Sequence, residues 1–109
     1  MASVAPIKLL NETLTGAGPH FGGQKSSEPK QTSFIVVGTT ANATGNTDII
    51  IEHSPDGQNW HTWATLPQIA GNGQEVLAVS ASLLPQLRAR VALSAGPVDV
   101  DVKVFYDRP

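Results

Sequence analysis

The sequence predicts an all-β fold: a single-domain antiparallel β-sandwich, Ig-like or jelly-roll-like, of about seven or eight strands. Three observations predict it. Short apolar or alternating runs recur along the chain with turn residues between them. None of these runs sustains the 3.6-residue period of an amphipathic helix. The chain is 109 residues long, enough for one core but too short for two useful ones.

The elements follow in order. Residues 4–10, VAPIKLL, read as a first strand, and Pro6 confines it to an edge or a start. Residues 15–31 hold several glycines and two prolines and read as a long loop or flexible arm, so that 1–31 form a strand plus arm. The sandwich body is then 32–109. TSFIVVGTT (32–40) is β-branched and apolar, ANATGN (41–46) is a turn cluster, and TDIIIEH (47–53) is the next strand. NWHTWATL (59–66) follows, then a loop over 67–73, and then QEVLAVS (74–80), which alternates. Beyond Pro85 a strand alternates from Leu87, and 97–106 alternates to the end.

The last two strands are expected to pair with each other. Leu87, Ala89, Val91 and Leu93 make one apolar row, and Val98, Val100, Val102 and Val104 make another. One register sets Arg90 opposite Asp99 and Arg88 opposite Asp101. The other sets Arg90 opposite Asp101 and Arg88 opposite Lys103. Charge favours the first. The SAGP loop favours the second, which is the reading adopted because exposed ion pairs contribute little. In both, the charges form a solvated face.

Composition narrows the function classes. Only 15 % of residues are charged, net charge is −2, and no basic patch exists for nucleic acid. No apolar run approaches the ~20 residues that span a bilayer. The N-terminus lacks the charged start of a signal peptide. There are no cysteines, so no disulfide framework forms. NET (11–13) and NAT (42–44) match the glycosylation pattern, which carries little weight without a secretion signal.

Chemistry concentrates in HSPDGQNWHTW (53–63), with two of the three histidines and both tryptophans. Pro55 presets φ, Asp56 bonds the backbone two residues on, and Gly57 accepts positive φ, so the stretch reads as a hairpin turn. Strict alternation sends Trp60 and Trp63 to opposite faces. One anchors the core and the other lies at a contact. A metal site from His53, His61, Asp56 and Glu52 lacks Cys and any tight His pair. Ser54, His53 and Asp56 are crowded on one turn, whereas a triad needs its base on a separate element. Glu52 and Asp56 would need a cleft to act as a glycosidase pair. A sugar platform could use an exposed Trp beside Asp56, Gln58 and Asn59. No catalytic residue, cofactor or metal is expected.

Ser54, Asp56, Gly57 and Trp60 in S-x-D-G-x-x-W, preceded by IIIEH and followed by TWATL, resemble the hairpin of discoidin-like sandwich modules. They equally resemble the hairpin of small virion proteins of tailed bacteriophages, where L-x-x-L-R-x-R-V and an alternating strand follow. Here those are LLPQLRARVAL (83–93) and VDVDVKVF (98–105). The resemblance covers 47–106 and carries over no site residues. It implies a non-catalytic capsid decoration (cement) protein, assembled into the virion in the host cytoplasm. The partner would be the major capsid protein or another virion protein. A homo-oligomer is expected, with a trimer among the possibilities. The discoidin-like alternative implies a carbohydrate- or surface-binding module. The candidate interface residues are Phe21, Trp60, Trp63 and His61, with Phe21 an apolar anchor in the arm.

Overall fold

A computed structural model describes residues 4–26 and 33–107. It is an antiparallel β-sandwich, as the alternation predicts. The strands are β1 (Val4–Leu14), β2 (Gly18–Phe21), β3 (Lys25–Ser26), β4 (Phe34–Ala41) and β5 (Asn46–Ser54). After these come β6 (His61–Thr65), β7 (Ile69–Ala70), β8 (Gly73–Val79), β9 (Gln86–Leu93) and β10 (Val98–Asp107). Two of the ten, β3 and β7, have two residues each, which reconciles this number with the seven or eight expected.

Sheet A runs β1-β10-β4-β8, and sheet B runs β2-β9-β5-β6, with β3 also on β9 and β7 on β5. Apolar side chains at every second position face the gap between the sheets. Val36, Val102 and Val104 of sheet A and Ile51, Leu87 and Val91 of sheet B are fully buried there. Gly38 belongs to the inward row of β4, where a Cβ would sit 2.6 Å from Ile49 Cδ1 and 2.7 Å from Leu66 Cδ1. Its bare backbone makes room for both side chains.

Two expectations are corrected. β9 and β10 are not sheet neighbours. β9 lies between β2 and β5 in sheet B, and β10 lies between β1 and β4 in sheet A. Their apolar rows do meet, but face to face across the core. Alternation specifies which side of a strand is buried, and that side looks the same whether the buried row meets a neighbour in its own sheet or a strand in the facing sheet. Neither Arg–Asp register therefore forms. Arg88 instead pairs with Glu52 of β5, and Lys103 lies 3.3 Å from Asp101 of its own strand.

The second correction concerns the arm. Residues 18–21 and 25–26 are strands hydrogen-bonded to β9, with Phe21 opposite Arg90 and Lys25 opposite Leu87. Gly22 continues the pairing by donating its N–H to the Ala89 carbonyl at 2.9 Å. A Cβ on Gly22 would meet the Leu9 carbonyl oxygen at 2.4 Å, so glycine here lets β1 and the β2 edge approach. Residues 27–31 of the expected arm, and Pro109, lie outside the described residues.

Candidate functional site

The hairpin of β5 and β6 is the one predicted, with His53 opposite His61. Its turn is held by one serine and one aspartate. Ser54 Oγ accepts the Asp56 and Gly57 amides at 3.2 and 2.9 Å and donates to Asp56 Oδ1 at 2.9 Å. Asp56 Oδ1 accepts the Gln58 and Asn59 amides, both at 2.9 Å, and Oδ2 accepts Asn59 Nδ2 at 2.6 Å. The Asn59 and Gln58 amides, then the Asn59 side chain and Ser54, hold the Asp56 carboxyl well below the usual carboxylate range. Gly57 takes φ +78°. Ser54 and Asp56 thus build a turn, and the serine hydroxyl is spent on it.

A bulge follows. Ala64 pairs with Ile51 and Thr62 with Glu52, leaving Trp63 as the extra residue. Trp63 packs against the core, its ring edge-on to Phe34 at 5.2 Å and 86°. This makes Trp63 the core anchor of the pair, although it stays partly exposed. Trp60, before β6, covers the outer face of sheet B.

That face holds a side-chain cluster built around Arg88. Arg88 extends outward from β9, and its Cζ lies 4.4 Å from the Phe21 ring centre and 4.3 Å from the Trp60 ring centre. The guanidinium is thus held between two aromatic rings. Its Nε donates to Glu52 Oε1 at 2.8 Å, and the two residues are direct cross-strand partners. The Glu52 side chain is only 12 % exposed and that of Arg88 24 %, whereas Phe21 is 50 % exposed. Beside them Gln24 Nε2 donates to Gln86 Oε1 at 3.1 Å, and Gly57 abuts Gln24, which ties the turn to the β2–β3 connection.

His61 is exposed and does not join the Arg88 cluster. It belongs to the row of His53, which alternates with the Glu52–Thr62 row. His53 Nδ1 accepts the Leu84 amide at 3.2 Å, which requires its unprotonated form. Burial, and then the nearby His61, push the His53 pKa down. Among the described residues no three His, Cys, Asp or Glu side chains lie close enough to share a metal ion.

Two of the four candidate residues, Phe21 and Trp60, therefore meet on one face. From sequence alone, the cation between them reads as a solvated charge and the acid behind it as a hairpin acid. LRAR shows that Arg88 points away from the core, but residues 21, 52, 60 and 88 carry no local signal of their convergence.

No family model matches the chain, and no curated protein matches it in sequence. Solved structures do. The PBSX exported protein XepA superposes with a TM-score of 0.64 at 17 % identity, over 94 % of this chain and 36 % of XepA. Bacteriophage CBA120 tailspike protein 4, in its enzymatically active domain, gives 0.54 at 10 % identity, over 98 % of this chain and 18 % of the tailspike. PirA gives 0.50 at 10 % identity, over 96 % and 93 %. The likeness is one of fold. The chain spans about a third of XepA and less than a fifth of the tailspike.

Proposed function

We propose that this protein is a non-catalytic binding module of a phage particle, and that it docks through the outer face of sheet B. The observation that carries this reading is the Phe21–Arg88–Trp60 stack. Aromatic rings on a surface that are already fixed by a cation, as exposed Phe21 and half-buried Trp60 are, lose little freedom when a partner covers them, and Trp and Arg are the side chains that dominate interfaces. The turn chemistry around Ser54 and Asp56 supports a structural role for the polar residues nearest the stack. The bacteriophage tailspike protein among the structures that share the fold supports a phage context.

In this reading the partner is a virion protein, the major capsid protein first among them, and the module acts as a decoration protein that bridges subunits. Such a role needs contact area and multivalency and no reactive group. The test is to purify particles from the source by density gradient and quantify the chain in them by mass spectrometry. A stoichiometric amount that stays with the particle band supports the reading. A chain recovered only in the particle-free fraction overturns it.

A second reading is favoured by the amides that rim the stack. Gln24, Gln86 and Asn59 beside Trp60 form the apolar-plus-amide surface that suits a sugar ring. Glycan binding that disappears in Trp60→Ala, with no particle association, would select this reading.

A further inference from the structure

We infer that β8 is a self-association edge, through which two copies of this chain join their A sheets across a two-fold axis at Val76. This rests on the other sheet and does not depend on the proposed function.

A sheet edge presents unpaired N–H and C=O groups, and folded proteins guard such edges with prolines, bulges, charges or shortness. Three of the four edges here are guarded. β1 carries Pro6 and Lys8 and a register shift between Lys8 and Leu10. β2 and β3 have four and two residues, with Pro19 in β2. β6 has five residues and is bulged where it meets β5. β8 has only one of them, the charge of Glu75, which lies in its inward row. Its seven residues pair with β4 without a break, it contains no proline, and Glu75 is its one charge. Among the described residues no strand pairs with its other side.

Both faces of β8 are incompletely covered. Leu77 and Val79 belong to its inward row and pack against the core, yet stay half-buried where Val36 on neighbouring β4 is fully buried. On the outer side Val76 is 55 % exposed and Ile35 47 %. Cross-strand pairing places Ile35 between Phe105 and Ala78, and Val37 beside Val76, so an apolar patch runs from β10 to the open edge. Of the three large apolar residues exposed among those described, two lie here, and the third is Phe21.

A second copy is the occupant that the β8 sequence itself fits. Val76 is the middle residue of Gly73–Val79. An antiparallel pair centred on it sets Val76 against Val76, Gln74 against Ala78, Glu75 against Leu77 and Gly73 against Val79. Inward residues stay inward, and the two outer apolar patches become continuous. Centring on Glu75 would set two like charges opposite each other. Centring on Leu77 would shorten the overlap. Any register that pairs odd with even positions would turn apolar residues to the wrong side. Isologous two-fold contact is the commonest oligomer geometry.

The test is mass in solution by light scattering over a concentration series, since an interface of this size is small and weakens on dilution. Wild type is expected to reach twice the 11.4 kDa of one chain. Val76→Lys and Val76→Glu, each placing like charges across the axis, are expected to stay single chains with unchanged circular dichroism. An equimolar mixture of the two variants is expected to recover the doubled mass. Amide exchange over 73–79 in wild type is expected to slow as concentration rises. Wild type that stays a single chain up to ~1 mM, a mass of three chains, or a dimer that survives Val76→Lys would overturn the inference. Exchange over 73–79 independent of concentration, or a mixture that does not pair, would also overturn it.

Discussion

The outer faces of the two sheets both expose large apolar side chains, and they do so in different ways. On sheet B, Phe21 and Trp60 each lie against the Arg88 guanidinium, which is itself fixed by Glu52. On sheet A, Ile35 and Val76 lie exposed in neighbouring cross-strand rows of the outer face. The first arrangement is directional. A partner must accommodate a charge as well as two rings, which favours one partner over others. The second is bare surface next to an open strand, which suits any matching edge and is matched best by its own sequence. Under the two proposals above, the difference separates recognition of another molecule from self-association, and each face can be altered without touching the other.

The largest effect is expected from Arg88→Ala. It leaves the Glu52 carboxylate in a nearly closed site without its cation and removes the group that both rings stack on. Breaking a fully buried pair costs about 3–5 kcal/mol. Arg88 keeps a quarter of its exposure, so a loss of about 2 kcal/mol is expected from urea unfolding midpoints. A loss below about 0.5 kcal/mol, the range of ordinary surface changes, would mean that the stack is not fixed.

Phe21→Ala and Trp60→Ala should each cost about 1 kcal/mol, the scale of a cation–π contact at a partly exposed site. Because both act through one guanidinium, the double variant should lose measurably more or less than the sum, and a double-mutant cycle reads that coupling. Strict additivity would show two independent rings. On sheet A the contrast sharpens. Ile35→Ser and Val76→Ser should change the stability of the single chain by less than about 0.5 kcal/mol, as exposed positions do, while weakening association in the concentration series.

The smallest effect is a pH dependence at the hairpin. The folded pKa of His53 lies below its unfolded value of 6.5, so the unfolded chain binds the proton first as pH falls. The contribution is fully present above that value and declines as pH drops through it towards the folded value. Urea midpoints should therefore fall between about pH 7 and pH 5, and this slope should flatten in His53→Gln. A flat profile in wild type would mean that burial and His61 do not lower the His53 pKa.

The legible and illegible parts of the sequence divide along the range of the interactions. SPDG was legible because a proline, an aspartate and a glycine determine a turn among themselves. Burial of the Leu87 and Val98 rows was legible because alternation is a local property. The sheet to which each row belongs was not, since a strand that crosses the sandwich and one that turns back alternate alike. The short strands inside 15–31 were hidden by glycines that serve close approach and turns rather than freedom. The bulge at Trp63 broke the parity count, though one tryptophan does pack against the core. Arg88 was read as a solvated charge because nothing near it in sequence announces two rings and an acid that arrive from residues 21, 52 and 60.

The measurement that tests the central claim most directly is co-sedimentation of the purified chain with particles from its source. Wild type is compared with Val76→Ser and with the Phe21→Ala/Trp60→Ala double variant, at equal concentrations of folded protein. The division of labour between the faces is expected to appear as wild-type pelleting that falls at least ~10-fold in affinity in the double variant, the loss of one good hot spot, and far less in Val76→Ser. Pelleting unchanged by loss of both aromatic rings would contradict it.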